Sequence, residues 1–309
     1  MNIIDVHCHL GDILYNDGGK LIYETGVKLP VEFDPQNINE KNHMQEIGMN
    51  SIPYTVFGYW STKAQRARNF TATLENYRLS LKNTDIIYTV CMPIEPNVTI
   101  EDLYNASKFD DRILFFTSVD FDNINDLKKK FQHDINIGAL GLKLHPIIQK
   151  IALNNERVFD VIELFSYWKK PILVHAGIAY YYLKNEQHKN IPDYGKINYL
   201  NVLVRTFPHI NFIIGHAGLS QIDEVCKQLK DCKNIWLDTS FQPPANINKL
   251  IKIFGAEKIM FASDWPFTNR IPSIKTVKYA CEGDKILEEM IFYKNATNLL
   301  DIKTKVNCK

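Results

Sequence analysis

Eight short runs rich in β-branched and aromatic residues alternate with helix-like stretches along this chain, and the first, fifth, sixth and eighth of them lead into a histidine or an aspartate. A length of 309 residues suits one barrel of roughly 250 residues plus insertions. These observations predict an α/β fold, a parallel sheet closed into a (β/α)8 (TIM) barrel that forms one domain over residues 1–309. Repeated strand–helix alternation requires crossover helices and a parallel sheet. Eight units favour closure, and an open doubly wound sheet is the alternative topology. Donors at the carboxyl ends of parallel strands converge on the mouth of such a barrel.

The predicted strands lie near residues 3–7, 86–91, 112–118, 138–144, 171–175, 211–215, 234–238 and 258–263. Helices are expected at 66–82, 155–169, 197–207, 220–231 and 245–254. Pro171 after Lys169-Lys170 marks a basic helix end and a stop. Asp223 to Lys230 has the charged and apolar mix of a surface helix. Lys128-Lys129-Lys130 reads as a solvated helix face. One stretch breaks the rhythm. Residues 10–65 separate the first strand from the first strong helix and carry Gly18-Gly19, Pro30, Pro35, Pro53, Tyr54, Phe57, Tyr59 and Trp60. A structureless loop of that length is unusual inside a compact domain. In a barrel it leaves from the catalytic face, so it is expected to cap the mouth; a peripheral excursion is the competing view.

A formal net charge of +1 gives no global field to attract nucleic acid or an anionic membrane. No run of about 18 apolar residues is present, so no bilayer span is expected. The chain opens on a strand and a histidine pair, which a cleaved signal would remove, and a cytoplasmic protein is expected. The six cysteines, with no C-x-x-C pair, do not form a disulfide framework in a chain of this size. Cys8, between two histidines, should turn to the opposite face and pack there. The partner expected is a small-molecule substrate, and the sequence leaves a homo-oligomer open.

His7 and His9 end the first strand. Two positions apart on a strand, both rings face one side at roughly 7 Å along the backbone, and two imidazoles can reach one cation. Asp5 lies two residues earlier and would either follow them inward or bond neighbouring strands. His175 and His216 each end an apolar run and are each followed by Ala-Gly. Small residues there fit a chain that turns away so that a ligand can approach; a buried structural histidine is the other reading of each. Asp264, in Phe-Ala-Ser-Asp-Trp-Pro, is a carboxylate after a buried strand, costly unless paired or coordinated. An N-cap role before the next helix competes with that, since Pro266 can open a helical segment. Lys143 and His145 share a face at the end of the fourth strand. Lys143 has three readings: a cation for substrate, a carbamate bridging two metals, or a partner for a carboxylate. Phe57, Tyr59, Trp60, Trp265 and Phe267 are candidates for an apolar pocket. Arg66 and Arg68 read as surface helix residues, or as a clamp for a substrate carboxylate.

His7-x-His9, Lys143-Leu-His145-Pro, Val-His175-Ala-Gly, Ile-Gly-His216-Ala-Gly and Phe-Ala-Ser-Asp264-Trp-Pro, in that order, resemble the amidohydrolase superfamily. The similarity is to the amidohydrolase-related branch that includes aminocarboxymuconate-semialdehyde decarboxylase and several lactonases. It covers essentially the whole chain and implies a distorted barrel. It also implies that His7, His9, His175 and Asp264 hold a divalent metal, usually zinc. His216 matches a residue that acts on water or substrate, or binds a second metal in binuclear members. Lys143 falls where binuclear members carry a carbamylated lysine, so the count of one or two metals stays open.

Such a ligand set leaves the ion net positive and a coordinated water near neutral pKa. The expected activity is hydrolysis of a carbonyl substrate (amide, lactone or ester), with Asp264 or His216 moving the proton and Lys143 or the metal steadying the oxyanion. The alternative is decarboxylation of a small unsaturated or aromatic acid. A non-catalytic barrel that binds a ligand is a third reading, against which the intact ligand set argues.

Overall fold

A computed structural model describes residues 1–30, 33–41 and 58–303. Eight parallel strands follow one another in chain order. They are β1 (Ile3–Cys8), β2 (Ile86–Cys91), β3 (Ile113–Phe115), β4 (Leu142–Leu144), β5 (Ile172–His175), β6 (Phe212–Gly215), β7 (Ile235–Asp238) and β8 (Ile259–Met260). Strands β1–β2–β3 pair in one run and β4–β5–β6–β7–β8 in another. Backbone hydrogen bonds bridge both gaps. Thr117 N donates to Gly141 O and Lys143 N to Thr117 O between β3 and β4, while Val6 N donates to Phe261 O and Asp264 N to His7 O between β1 and the end of β8. The sheet is therefore the (β/α)8 barrel expected from the alternation.

Side-chain alternation divides the core in two. Val174, Ile172, Phe212, Ile214, Leu142 and Leu144 face the surrounding helices in the large outer layer. Ile4, Val6, Met92, Leu173, Ile213 and Met260 form a smaller inner cluster, which floors the site because Leu173 precedes His175 by one strand repeat. Strand β1 departs from strict alternation. A register shift falls between Asp5 and Cys8: Ile4 and Val6 face inward and Asp5 outward to Ser263 and Arg270, yet His7, next to Val6, also turns inward to the site. Cys8 joins the outer layer, 3.4 Å from Cys91 Sγ.

Several boundaries differ from the sequence reading. The helix expected over 66–82 is two helices, α2 (Gly58–Asn69) and α3 (Leu74–Ser80). The break falls where Thr73 turns extended and its side chain accepts the Asn76 N–H, an N-cap that starts a new helix. The 10–65 segment is not structureless: it holds a 3-10 turn at Gly18–Tyr23, the helix α1 (Pro35–Lys41) and the start of α2. Pro53, Tyr54 and Phe57 lie outside the described residues, as does Cys308. Asp264 does not cap a helix; the helix that follows spans Arg270–Ala280 behind Asn269. Lys130 departs from a solvated face, its ammonium lying 3.0 Å from Glu95 and 2.7 Å from Asp134. No described helix is long and apolar enough to cross a membrane.

Candidate metal centre

The mouth of the barrel collects buried histidines and carboxylates. Ligating atoms of His7, His9 and Asp264 all lie within 4.8 Å of one another. Asp264 Oδ1 is 3.3 Å from His9 Nε2 and 3.6 Å from His7 Nε2. His175 stands outside that trio. It joins the cluster through His216, whose Nε2 is 3.1 Å from His175 Nδ1. Lys143 Nζ lies 3.0 Å from His7 Nε2, and His216 Nδ1 is 3.9 Å from Asp264 Oδ2.

The partner of each histidine's second nitrogen fixes its tautomer. His7 Nδ1 faces Asp238 Oδ2 at 2.8 Å, His9 Nδ1 faces Met92 O at 2.9 Å, and His175 Nε2 faces Gly177 O at 3.2 Å. All three partners are acceptors, so those nitrogens carry the protons. His7 Nε2, His9 Nε2 and His175 Nδ1 are left as lone pairs. Burial drives the pKa of all three rings down, and the Lys143 charge adds to the fall. Burial pushes the Asp264 carboxyl well up, against the pull of Lys143. Asp264 Oδ1 makes no hydrogen bond. The His9 Nε2 lone pair faces an Asp264 oxygen that makes no hydrogen bond, and the His7 Nε2 lone pair meets the Lys143 ammonium; a shared cation would satisfy the lone pairs and the carboxylate together. The donor set, nitrogen with one carboxylate, matches the preference of zinc and its neighbours in the first transition row. The residues present fit a divalent ion.

Strand ends and turns place these groups. The chain after β6 is left-handed at His216, Ala217 and Gly218, with φ of 57°, 44° and 88°. A side chain at Gly177 would meet Gly218 O at 2.5 Å, so the two Ala-Gly turns pack directly on each other, and Gly177 has to be glycine. Asp264, also left-handed at φ 55°, donates its N–H to His7 O.

Two partners of the candidate site residues escaped the sequence reading. Asp238, at the end of β7, accepts from His7 Nδ1 with one oxygen. With the other it accepts from His216 N at 2.9 Å, Ser240 N at 3.1 Å and Ser240 Oγ at 2.5 Å. Its signal was present: the seventh run ends in an aspartate as the eighth does. Tyr181 follows β5. Ile148 N donates to His145 Nδ1, so His145 Nε2 carries a proton and donates to the Tyr181 oxygen at 3.1 Å. That leaves the phenol proton free for another acceptor, and burial keeps the phenol protonated.

Above the cluster lies a cavity of about 190 Å³ lined by His9, His145, His175, His216, Asp264, Tyr181, Ser61, Gln65 and apolar Ile13, Ile178, Leu219, Phe241 and Phe267. Of the aromatic candidates, Phe267 lines it. Trp265 is buried against Tyr77 and Arg270 instead, and Tyr59 and Trp60 are exposed. Lys143 is fully buried beneath the cluster, its pKa pushed down to about 8 by burial while Asp264 and Asp238 pull it back up. Arg66 pairs with Glu186 and Tyr15. Arg68 is buried among Asp34, Glu40 and the Phe267 carbonyl, not exposed on a helix surface as the sequence suggested.

A family model described as amidohydrolase matches residues 4–302. No curated protein matches the chain in sequence. Similar solved structures include 5-carboxyvanillate decarboxylase from Sphingomonas paucimobilis, at TM-score 0.65 and 10% identity, covering 98% of this chain and 99% of that one. A second is a 5-carboxyvanillate decarboxylase from Novosphingobium aromaticivorans complexed with manganese and 4-hydroxy-3-methoxy-5-nitrobenzoic acid, at TM-score 0.65, 13% identity and coverage of 97% and 96%. A third is a probable 2-pyrone-4,6-dicarboxylic acid hydrolase from Acinetobacter baumannii with citric acid bound, at TM-score 0.61, 16% identity and coverage of 98% and 100%.

Proposed function

The chain belongs to the amidohydrolase family, and from that premise we propose a divalent-metal-dependent hydrolase acting on a carbonyl (amide, lactone or ester) of a small organic substrate. His7, His9, His175 and Asp264 would hold the ion, zinc in the first instance. When bound, the ion supplies a Lewis acid that acidifies water and polarises an acyl oxygen. The observation that carries the reading is the convergence of imidazole lone pairs on Asp264 Oδ1, a buried oxygen with no hydrogen bond.

The chain's own groups supply the rest. Asp264 accepts the proton of the attacking water and returns it to the leaving group. His216, held by Ser240 at 2.7 Å, stands beside it as the alternate proton acceptor. The Tyr181 phenol donates to oxygen on which negative charge develops. Lys143 Nζ stands 3.0 Å from His7 Nε2, a contact it would give up once that lone pair holds the ion, and it keeps a positive charge near the reacting carbonyl; as an unmodified amine it supports one ion, and a carbamate there, with His216, would support two. The apolar lining excludes competing water.

Decarboxylation is the second reading, favoured by the two decarboxylases among the similar structures. There the proton on Asp264 or Tyr181 would go to the carbon that loses carbon dioxide. Metal analysis of the purified protein, followed by incubation with lactone acids and hydroxybenzoic acids in ¹⁸O-labelled water, tests both. Labelled acid product supports hydrolysis and released carbon dioxide supports decarboxylation. A protein that takes up no stoichiometric divalent ion overturns both.

A further inference from the structure

Among the described residues the cavity has one candidate cationic pole, the proposed metal site with Lys143 beneath it. Its lining includes no lysine or arginine among the described residues. The two arginines on α2 are spent elsewhere, Arg66 on Glu186 and Arg68 on Asp34 and Glu40. A second carboxylate on a ligand would be desolvated there without a counter-charge.

What the wall offers instead is neutral. Ser61 and Gln65 are one helical turn apart on the same face of α2, and both line the cavity. Ser61 Oγ and Gln65 Oε1 are buried atoms with no hydrogen-bond partner. Unsatisfied buried acceptors are rare in folded proteins and cost stability unless a ligand completes them. Gln65 Oε1 can only accept, so it calls for a donor.

We infer that Ser61 and Gln65 form the specificity wall of this site and that its substrate is a small monoanion, with one acid or acyl group for the metal pole and one uncharged donor, a hydroxyl or amide N–H, for Gln65 Oε1. The inference rests on the metal-centred reading proposed above and names its substrate class. The site should therefore prefer a hydroxylated mono-acid over the bare acid, and the bare acid over a diacid of the same ring.

The test is calorimetric titration of the zinc-loaded protein with 3-hydroxybenzoate, benzoate and benzene-1,3-dicarboxylate. The expected order is 3-hydroxybenzoate tightest, by about tenfold over benzoate, with the dicarboxylate weakest. Gln65→Leu should abolish the tenfold preference while leaving benzoate affinity within about twofold, and Ser61→Ala should reduce the preference in part. Thermal melts and zinc content of the variants separate loss of fold from loss of recognition. A dicarboxylate that binds as tightly as 3-hydroxybenzoate, a preference unchanged in Gln65→Leu, or no binding of any mono-acid to zinc-loaded protein overturns the inference and leaves the metal reading intact. Failure to take up zinc overturns the metal reading first and the inference with it.

Discussion

Replacing Asp238 with asparagine changes one atom of a group that touches no reactant, yet the geometry makes it a severe test of the metal site. One Asp238 oxygen accepts three donors, from His216 N, Ser240 N and Ser240 Oγ, and the other accepts from His7 Nδ1 at 2.8 Å. In Asp238→Asn only one oxygen remains. Three donors outweigh one, so the amide oxygen stays with His216 and Ser240 and the NH2 turns to His7. An NH2 facing His7 Nδ1 demands a lone pair there, and the ring proton must move to Nε2. That removes the lone pair offered to the ion. Partners of metal-bound histidines typically affect affinity or activity by about 10–100-fold, which is about 1.4–2.7 kcal/mol. The tautomer change places this variant at the upper end. Competition between protein and a chromophoric zinc chelator measures the affinity, with a thermal melt of the zinc-free protein as the control for folding. Wild-type zinc affinity in a folded Asp238→Asn protein would refute the assignment of His7 Nε2 as a ligand.

Further outcomes are expected elsewhere in the molecule. His175→Ala should abolish turnover with the fold retained, and a chelator should do the same reversibly; turnover by a folded His175→Ala protein rejects His175 as a ligand. Glu95 is buried beside Lys130, and its pKa is pushed up to about 7 from 4.5, by burial against the pull of Lys130. The native state thus keeps a proton that the unfolded chain has lost, and stability falls as pH rises from 4.5 to 7, by about 3 kcal/mol in all. Glu95→Gln should match wild type near pH 4 and exceed it at pH 8 in urea unfolding; equal pH profiles would reject the shift. Arg270 is fully buried, 3.1 Å from Asp5 and beside the rings of Tyr77 and Trp265. Arg270→Met strands a buried carboxylate and should cost about 3–5 kcal/mol, measured by the same unfolding method; a loss below about 1 kcal/mol would show that Asp5 neutralises without penalty.

The barrel was legible because its strands are short, apolar and bounded by helices, and because parallel strands buried on both faces read as continuous hydrophobic runs. His7, His9, His175, His216 and Asp264 were legible for a related reason: a polar side chain at the end of such a run has few purposes. The split of 66–82 was not, because Thr71-Ala72-Thr73 carries neither Gly nor Pro, and the Thr73 cap is seen only once its hydroxyl meets Asn76 N. The arginines of α2 were misjudged for a different reason. Helical periodicity cannot show that Asp34 and Glu40, from the far side of an insertion, fold back to bury Arg68.

The same contrast explains which half of the proposed metal centre the sequence conceals. A ligand announces itself by position on its own strand, but the acceptor that sets its tautomer is a long-range pairing. Asp238 lies 231 residues from His7, and the partner of His9 is a backbone carbonyl with no side-chain signature at all. The loop that carries Asp264 is held in the same manner. Ser263 N and Oγ both donate to Asp5, Arg270 reaches the same carboxylate, and Trp265 N donates back to Ser263 Oγ. Asp5 thus serves the site from outside the inner cluster, by fixing the strand end on which a left-handed Asp264 meets His7 and His9. Distance from the reacting atoms does not make such a residue dispensable, because the geometry of the proposed ligands is set by closure of β8 on β1.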